Sequence, residues 1–179
     1  MKGYKYIFFS VVIALFSVFE FPGKNANAGN PVAPDQSPGS QQVMAEPTIF
    51  AEGVISTGDM ELNAAFTPDG KTLYFSKRTP KFQFWAIVVS HFQNGKWGAV
   101  EVADFSGQYS DFDPFISPDG SKLYFCSNRP VDDKPKRDFD IWVVEKGKNG
   151  WSAPRRLEAP INTQAAEFYP SVTADGTLY

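Results

Sequence analysis

The sequence predicts an all-β protein: a β-propeller of four-stranded antiparallel blades, with about two and a half blades in this chain. Three observations lead there. A turn sequence recurs, as FTPDGKTLYF (66–75), FISPDGSKLYF (115–125) and VTADGTLY (172–179). Its aspartates, Asp69, Asp119 and Asp175, stand 50 and 56 residues apart. From residue 47 onward, aromatic and β-branched residues come in short runs separated by Gly, Pro, Asp and Asn, and no window carries a helical period. A repeat of about fifty residues holding four short strands is the size of one propeller blade.

The elements follow in chain order. Residues 1–28 read as a secretory signal: Lys2 and Lys5 precede an apolar run, YIFFSVVIALFSVF (6–19), and Ala26 and Ala28 supply the small residues of a cleavage site. The run is too short to span a bilayer comfortably, so no stable membrane span is expected after cleavage. Residues 29–46 are rich in Pro, Gly, Ser and Gln and read as a flexible leader. Residues 47–179 form the partial propeller, with blades near 61–105, 111–160 and 167–179. In the second copy the strands are expected at about 111–117, 122–127, 139–146 and 151–157.

Each Pro-Asp-Gly or Ala-Asp-Gly has a mechanical reading. Pro presets φ for a turn, Asp accepts from nearby backbone N–H groups, and Gly takes the left-handed position that closes a short hairpin. Asn-Gly at 94–95 and at 149–150 is expected to turn the third strand into the fourth in the same way. WAIVVS (85–90) is matched to DIWVVE (140–145), and VISTGDMEL (54–62) to PINTQAAEF (160–168). A single blade cannot bury both of its faces, which is why the unit is repeated. Tyr179 aligns with Tyr74 and Tyr124, so the sequence is expected to be an N-terminal piece of a longer propeller.

With the signal removed, 17 basic and 20 acidic residues become 14 and 19, because Lys2, Lys5, Lys24 and Glu20 go with it, leaving a net charge of −5. That acidic balance argues against nucleic acid or an anionic membrane as partner. Cys126 is the one cysteine, so no internal disulfide can form, and its place in an apolar strand reads as a buried small hydrophobe.

The second copy, SPDGSKLYFCSNR followed by DIWVVE and GWSAPRRL, then by IN and EFYP, resembles the WD-like propeller repeat of TolB and related exported proteins. The resemblance covers residues 47–179, with Thr67 in place of Ser and Ala174 in place of Pro. It implies a periplasmic or secreted protein of a bacterial cell envelope, with a non-catalytic propeller that binds protein or peptide partners. The alternative is the propeller part of a larger exported hydrolase, peptidase- or glycosidase-like, whose catalytic residues lie beyond residue 179.

Chemistry-bearing motifs are sparse. His91 is adjacent to Ser90, which places the two on opposite faces of a strand and unfit as a base and nucleophile pair. No Gly-x-Ser-x-Gly elbow, Cys/His metal spacing or cofactor pattern is present, so no cofactor is expected. Asp132, Asp133, Asp138 and Asp140 are interleaved with Lys134, Lys136 and Arg137 and read as a solvated loop more than as a calcium site. Trp85, Trp97, Trp142 and Trp151 read as packing between blades, and Arg78 and Arg129, after the second strand of each copy, as partners for nearby acids. One set recurs in every copy: Glu61, Asp111 and Glu167, each eight residues before the turn aspartate. Around one axis, these carboxylates are expected either to ring a channel mouth and attract a cation or basic group, or to lock blades together through backbone or arginine bonds.

Overall fold

The structure is a computed structural model and describes residues 47–80, 84–132, 134–136 and 138–179. The signal and leader expected over 1–46 lie outside these residues. The described residues contain strands and turns and no helix. Two antiparallel sheets stand side by side, the blades of an incomplete propeller. The first holds β1 (Met60–Phe66), β2 (Thr72–Arg78), β3 (Trp85–Gln93), β4 (Lys96–Trp97) and β5 (Glu101–Val102). The second holds β6 (Asp111–Ile116), β7 (Lys122–Ser127), β8 (Asp140–Gly147), β9 (Gly150–Trp151) and β10 (Arg155–Arg156). Both run in chain order, and both split the fourth strand into two short pieces that pair with the third. Pro154, which has no N–H to give a ladder, sits in the gap of the second sheet.

The repeated turn works as its residues dictate. In each copy a hydroxyl donates to the turn aspartate: Thr67 to Asp69 at 2.6 Å, Ser117 to Asp119 at 2.6 Å, and Thr173 to Asp175. The same aspartates accept backbone N–H groups from Lys71, Ser121 and Thr177 at 3.0, 3.0 and 3.1 Å. These bonds hold all three carboxyls below the usual range, Asp119 at about 2. Gly70, Gly120 and Gly176 close the turns at φ of 67, 71 and 89°. The third copy forms this hairpin as well, with Val172 opposite Leu178.

The faces stack in one sense. Tyr74 and Ile87 of the first sheet meet Leu123, Phe125, Trp142 and Val144 of the second, with Phe105 between them. Leu73, Phe75, Val88 and Trp97 point the other way and are covered by Ala51 and Ile55. Leu123 and Leu73 are equivalent, so each sheet turns its Leu face toward the chain that precedes it. The Tyr face of the first sheet turns toward the second. Burying a side chain such as Phe125 in this layer stabilises the fold by roughly 2–3 kcal/mol. Trp151 donates its indole N–H to the Tyr74 hydroxyl at 2.9 Å across the two sheets, and Trp85 stacks on Phe112 at 5.7 Å. Trp97 occupies the ladder position of Trp151 and meets Phe50 and Phe66 instead, because residues 50–55 stand where a preceding blade would.

Two expectations are corrected by one residue. The third strands match as Ala86 with Asp140 and Ile87 with Ile141, since Ala86 faces Lys77 and Asp140 faces Ser127 at equivalent ladder positions. The caps agree: Ile87 N donates to Ser106 Oγ at 3.0 Å, and Ile141 N to Asn162 Oδ1 at 2.7 Å. Correspondingly, the second hairpin turns through Lys148 and Asn149, with Gly150 at φ 117° opposite Gly147, while the first turns through Asn94 and Gly95 at φ 53 and 77°.

Candidate functional site on the inner strands

The innermost strands β1 and β6 each break their ladder at one place. Pairing slips between Leu62 and Ala65 in β1 and between Phe112 and Phe115 in β6. At the slips stand Asn63 and Asp113, and at the equivalent place in the third copy stands Tyr169, all left-handed with φ of 54, 53 and 56°. Asn and Asp enter this region more readily than other L-residues. Pro114 and Pro170 follow two of them, and a proline inside a strand is compatible with such a bulge. A bond between copies holds one of these kinks, Asp113 N donating to Ser76 Oγ at 3.0 Å, and in the next copy Tyr169 stands beside Cys126, the residue equivalent to Ser76.

Where the three kinks converge there is a pocket of about 170 Å³, lined by Asn63, Ala64, Asp113, Pro114, Phe115, Tyr169 and Pro170. Asp113 is buried at 6% exposure, while Tyr169 is 72% exposed at the rim. The Asp113 carboxyl accepts from the Tyr169 backbone N–H and from the Cys126 thiol at 3.7 Å. Burial outweighs these bonds and pushes its pKa up to about 6. Burial, with the Asp113 charge beside it, also pushes the Cys126 thiol far above its ordinary value, so this cysteine is no nucleophile.

Glu61, Asp111 and Glu167 take equivalent places two residues before the kinks, but none of them lines the pocket. Each is bonded within its own copy, to a hydroxyl four or five residues earlier. Thr57 donates to Glu61, Ser106 to Asp111 at 2.8 Å, and Thr163 to Glu167 at 2.5 Å. Asp111 is fully buried, and Arg129 grips it through Nε at 3.3 Å and Nη2 at 3.1 Å while also donating to the Phe105 carbonyl. Burial raises the Asp111 pKa, and the Arg129 charge, with the Ser127 and Ser106 hydroxyls, pulls against it. Glu61 lies 3.7 Å from Lys77, whose ammonium is closer to Asp59 at 2.9 Å.

The remaining candidates are also placed. Ser90 is buried and donates to the Gly98 carbonyl at 2.9 Å, while exposed His91 lies 3.1 Å from the Thr72 hydroxyl on the other face. In the 131–140 loop, Asp140 is fully buried and paired with Arg156 at 2.7 Å and Lys136 at 2.5 Å. Asp133 and Arg137 lie outside the described residues. Arg78 stacks its guanidinium over Trp85 at 4.7 Å.

Sequence reading missed Asn63, Asp113 and Tyr169, because the three share no chemistry. The signal that finds two of them is Pro114 and Pro170, prolines inside what otherwise reads as an innermost strand. Neither a protein-family model nor a curated protein matches this chain.

Proposed function

We propose that the chain is part of an exported, non-catalytic β-propeller of the bacterial cell envelope, similar to TolB-type WD-like propellers, and that it binds a protein or peptide partner at the pocket where its inner strands converge. The observation that carries this reading is the shared kink. Two copies of the repeat leave the ladder at the same residue, the third holds the same left-handed conformation at its equivalent, and together the three line one concave surface with an exposed Tyr169 at its rim. Concave surfaces with aromatic rims and a few placed polar groups are where ligands bind. The acidic balance supports a protein or peptide over nucleic acid.

The test is a displayed peptide library selected on the chain and counter-selected on Tyr169→Ala. Enriched peptides that lose at least tenfold in affinity on Tyr169→Ala support the reading. Enriched peptides indifferent to that change, or none at all, would overturn it. The export half is tested by the mature N-terminus, expected at Gly29 in extracytoplasmic fractions; intact residues 1–28 on cytoplasmic protein would refute it.

A further inference from the structure

We propose that the pocket takes a cationic side chain of the partner, a lysine ammonium or an arginine guanidinium, with Asp113 as its counter-ion. The inference rests on the binding reading above and names the chemistry that the site recognises.

Three acidic residues are buried among the described residues: Asp111, Asp113 and Asp140. Asp111 has Arg129, and Asp140 has Arg156 and Lys136. Asp113 has a backbone N–H and a thiol, and no lysine or arginine pairs with it among the described residues. Burying a carboxylate without a cation is costly, and two of the three sites in this fold meet that cost with a basic side chain. The third lines a pocket.

The fold does not ask for a charge there. Asn63 and Tyr169 hold the same left-handed conformation in the neighbouring copies with neutral side chains. The charge of Asp113 is therefore free to serve a ligand. The surroundings select its kind. At about 170 Å³ the pocket has some ten times the space a single water needs. Phe115, Tyr169, Pro114 and Pro170 offer apolar and aromatic walls to the methylene stem of a long basic side chain, and an exposed tyrosine ring adds a face for its cation. A calcium ion wants six to eight oxygens, and one carboxylate beside an asparagine falls short of that, so an organic cation fits better than a metal.

The experiment titrates the chain with three tripeptides blocked at both ends, Ala-Lys-Ala, Ala-Arg-Ala and Ala-norleucine-Ala, following the amide signals of Asn63, Asp113 and Tyr169 by NMR. Either basic peptide is expected to bind at least tenfold more tightly than the norleucine peptide, and Asp113→Asn is expected to bring that ratio to about one. Asp113→Asn is chosen because asparagine already occupies the equivalent position 63, so the variant is expected to fold, and its amide spectrum checks this. If the norleucine peptide binds as well as the basic ones, or if the ratio survives Asp113→Asn, the counter-ion role falls while peptide binding at the pocket stands. If no peptide moves these signals, the counter-ion role falls, and if the library selection has also failed, the binding reading falls with it.

Discussion

Replacing Asp113 by asparagine should stabilise the protein at neutral pH. The carboxyl rises from an ordinary value of 3.8 to about 6, with burial as the main cause. Two units correspond to roughly 3 kcal/mol between the protonated and ionised folded states. The sign comes from proton binding. A buried acid whose folded pKa exceeds its unfolded value holds its proton more tightly in the native state, so stability falls as pH rises from about 4 through 6 and is flat beyond. The full cost is present at pH 7.5 and nearly gone at pH 4, where about 0.5 kcal/mol remains. An asparagine Oδ1 can accept the Tyr169 N–H as the carboxylate does, and the amide carries no charge to bury. Urea unfolding of both proteins at pH 4 and at 7.5 measures the effect. Asp113→Asn is expected to gain up to about 3 kcal/mol over the natural chain at pH 7.5 and only about 0.5 kcal/mol at pH 4. Because both proteins share the other titrating groups, the difference between them isolates Asp113. A difference that does not change with pH, or a variant less stable at pH 7.5, would refute the reasoning.

Two further predictions concern bonds that hold the blades. Arg129→Met leaves the Asp111 carboxylate buried without its cation and is expected to cost about 3–5 kcal/mol in urea unfolding, part of which Asp111→Asn in the same chain recovers; a loss under about 1 kcal/mol would contradict the assigned pairing. Trp151→Phe and Tyr74→Phe each break the same 2.9 Å bond between sheets, so a double-mutant cycle should return a coupling of about 1 kcal/mol, and strict additivity would show that the bond is not made.

Local features were the legible ones. The turn aspartates, the backbone N–H groups they accept and the glycine after them lie within a few residues of each other, and that part of each hairpin can be read without knowing its packing partners. Strand positions come with the hairpins, and β7 occupies the residues that the repeat predicts for it. The third strand is misaligned by one residue in the sequence because the loop before it is longer in the second copy. Over that insertion, sequence likeness favours Trp85 with Asp140, whereas the ladder, set by burial on one face, pairs Ala86 with that place.

The candidate site was illegible for a different reason. The eye goes to the position that carries an acid in every copy, Glu61, Asp111 and Glu167, and the bond it makes there recurs as well. Each acid is bonded to a hydroxyl of its own lead-in. Two residues on, the backbone repeats and the side chains do not: Asn63, Asp113 and Tyr169 share a φ near 54° and nothing else. A repeat fold fixes what all of its units must do and leaves variable what only the assembled surface does. A ligand at the convergence of several copies meets one side chain from each, so its site is written in the differences between copies. Asp113 differs from its neighbours in carrying a buried charge, and that charge is what the proposed counter-ion role would use.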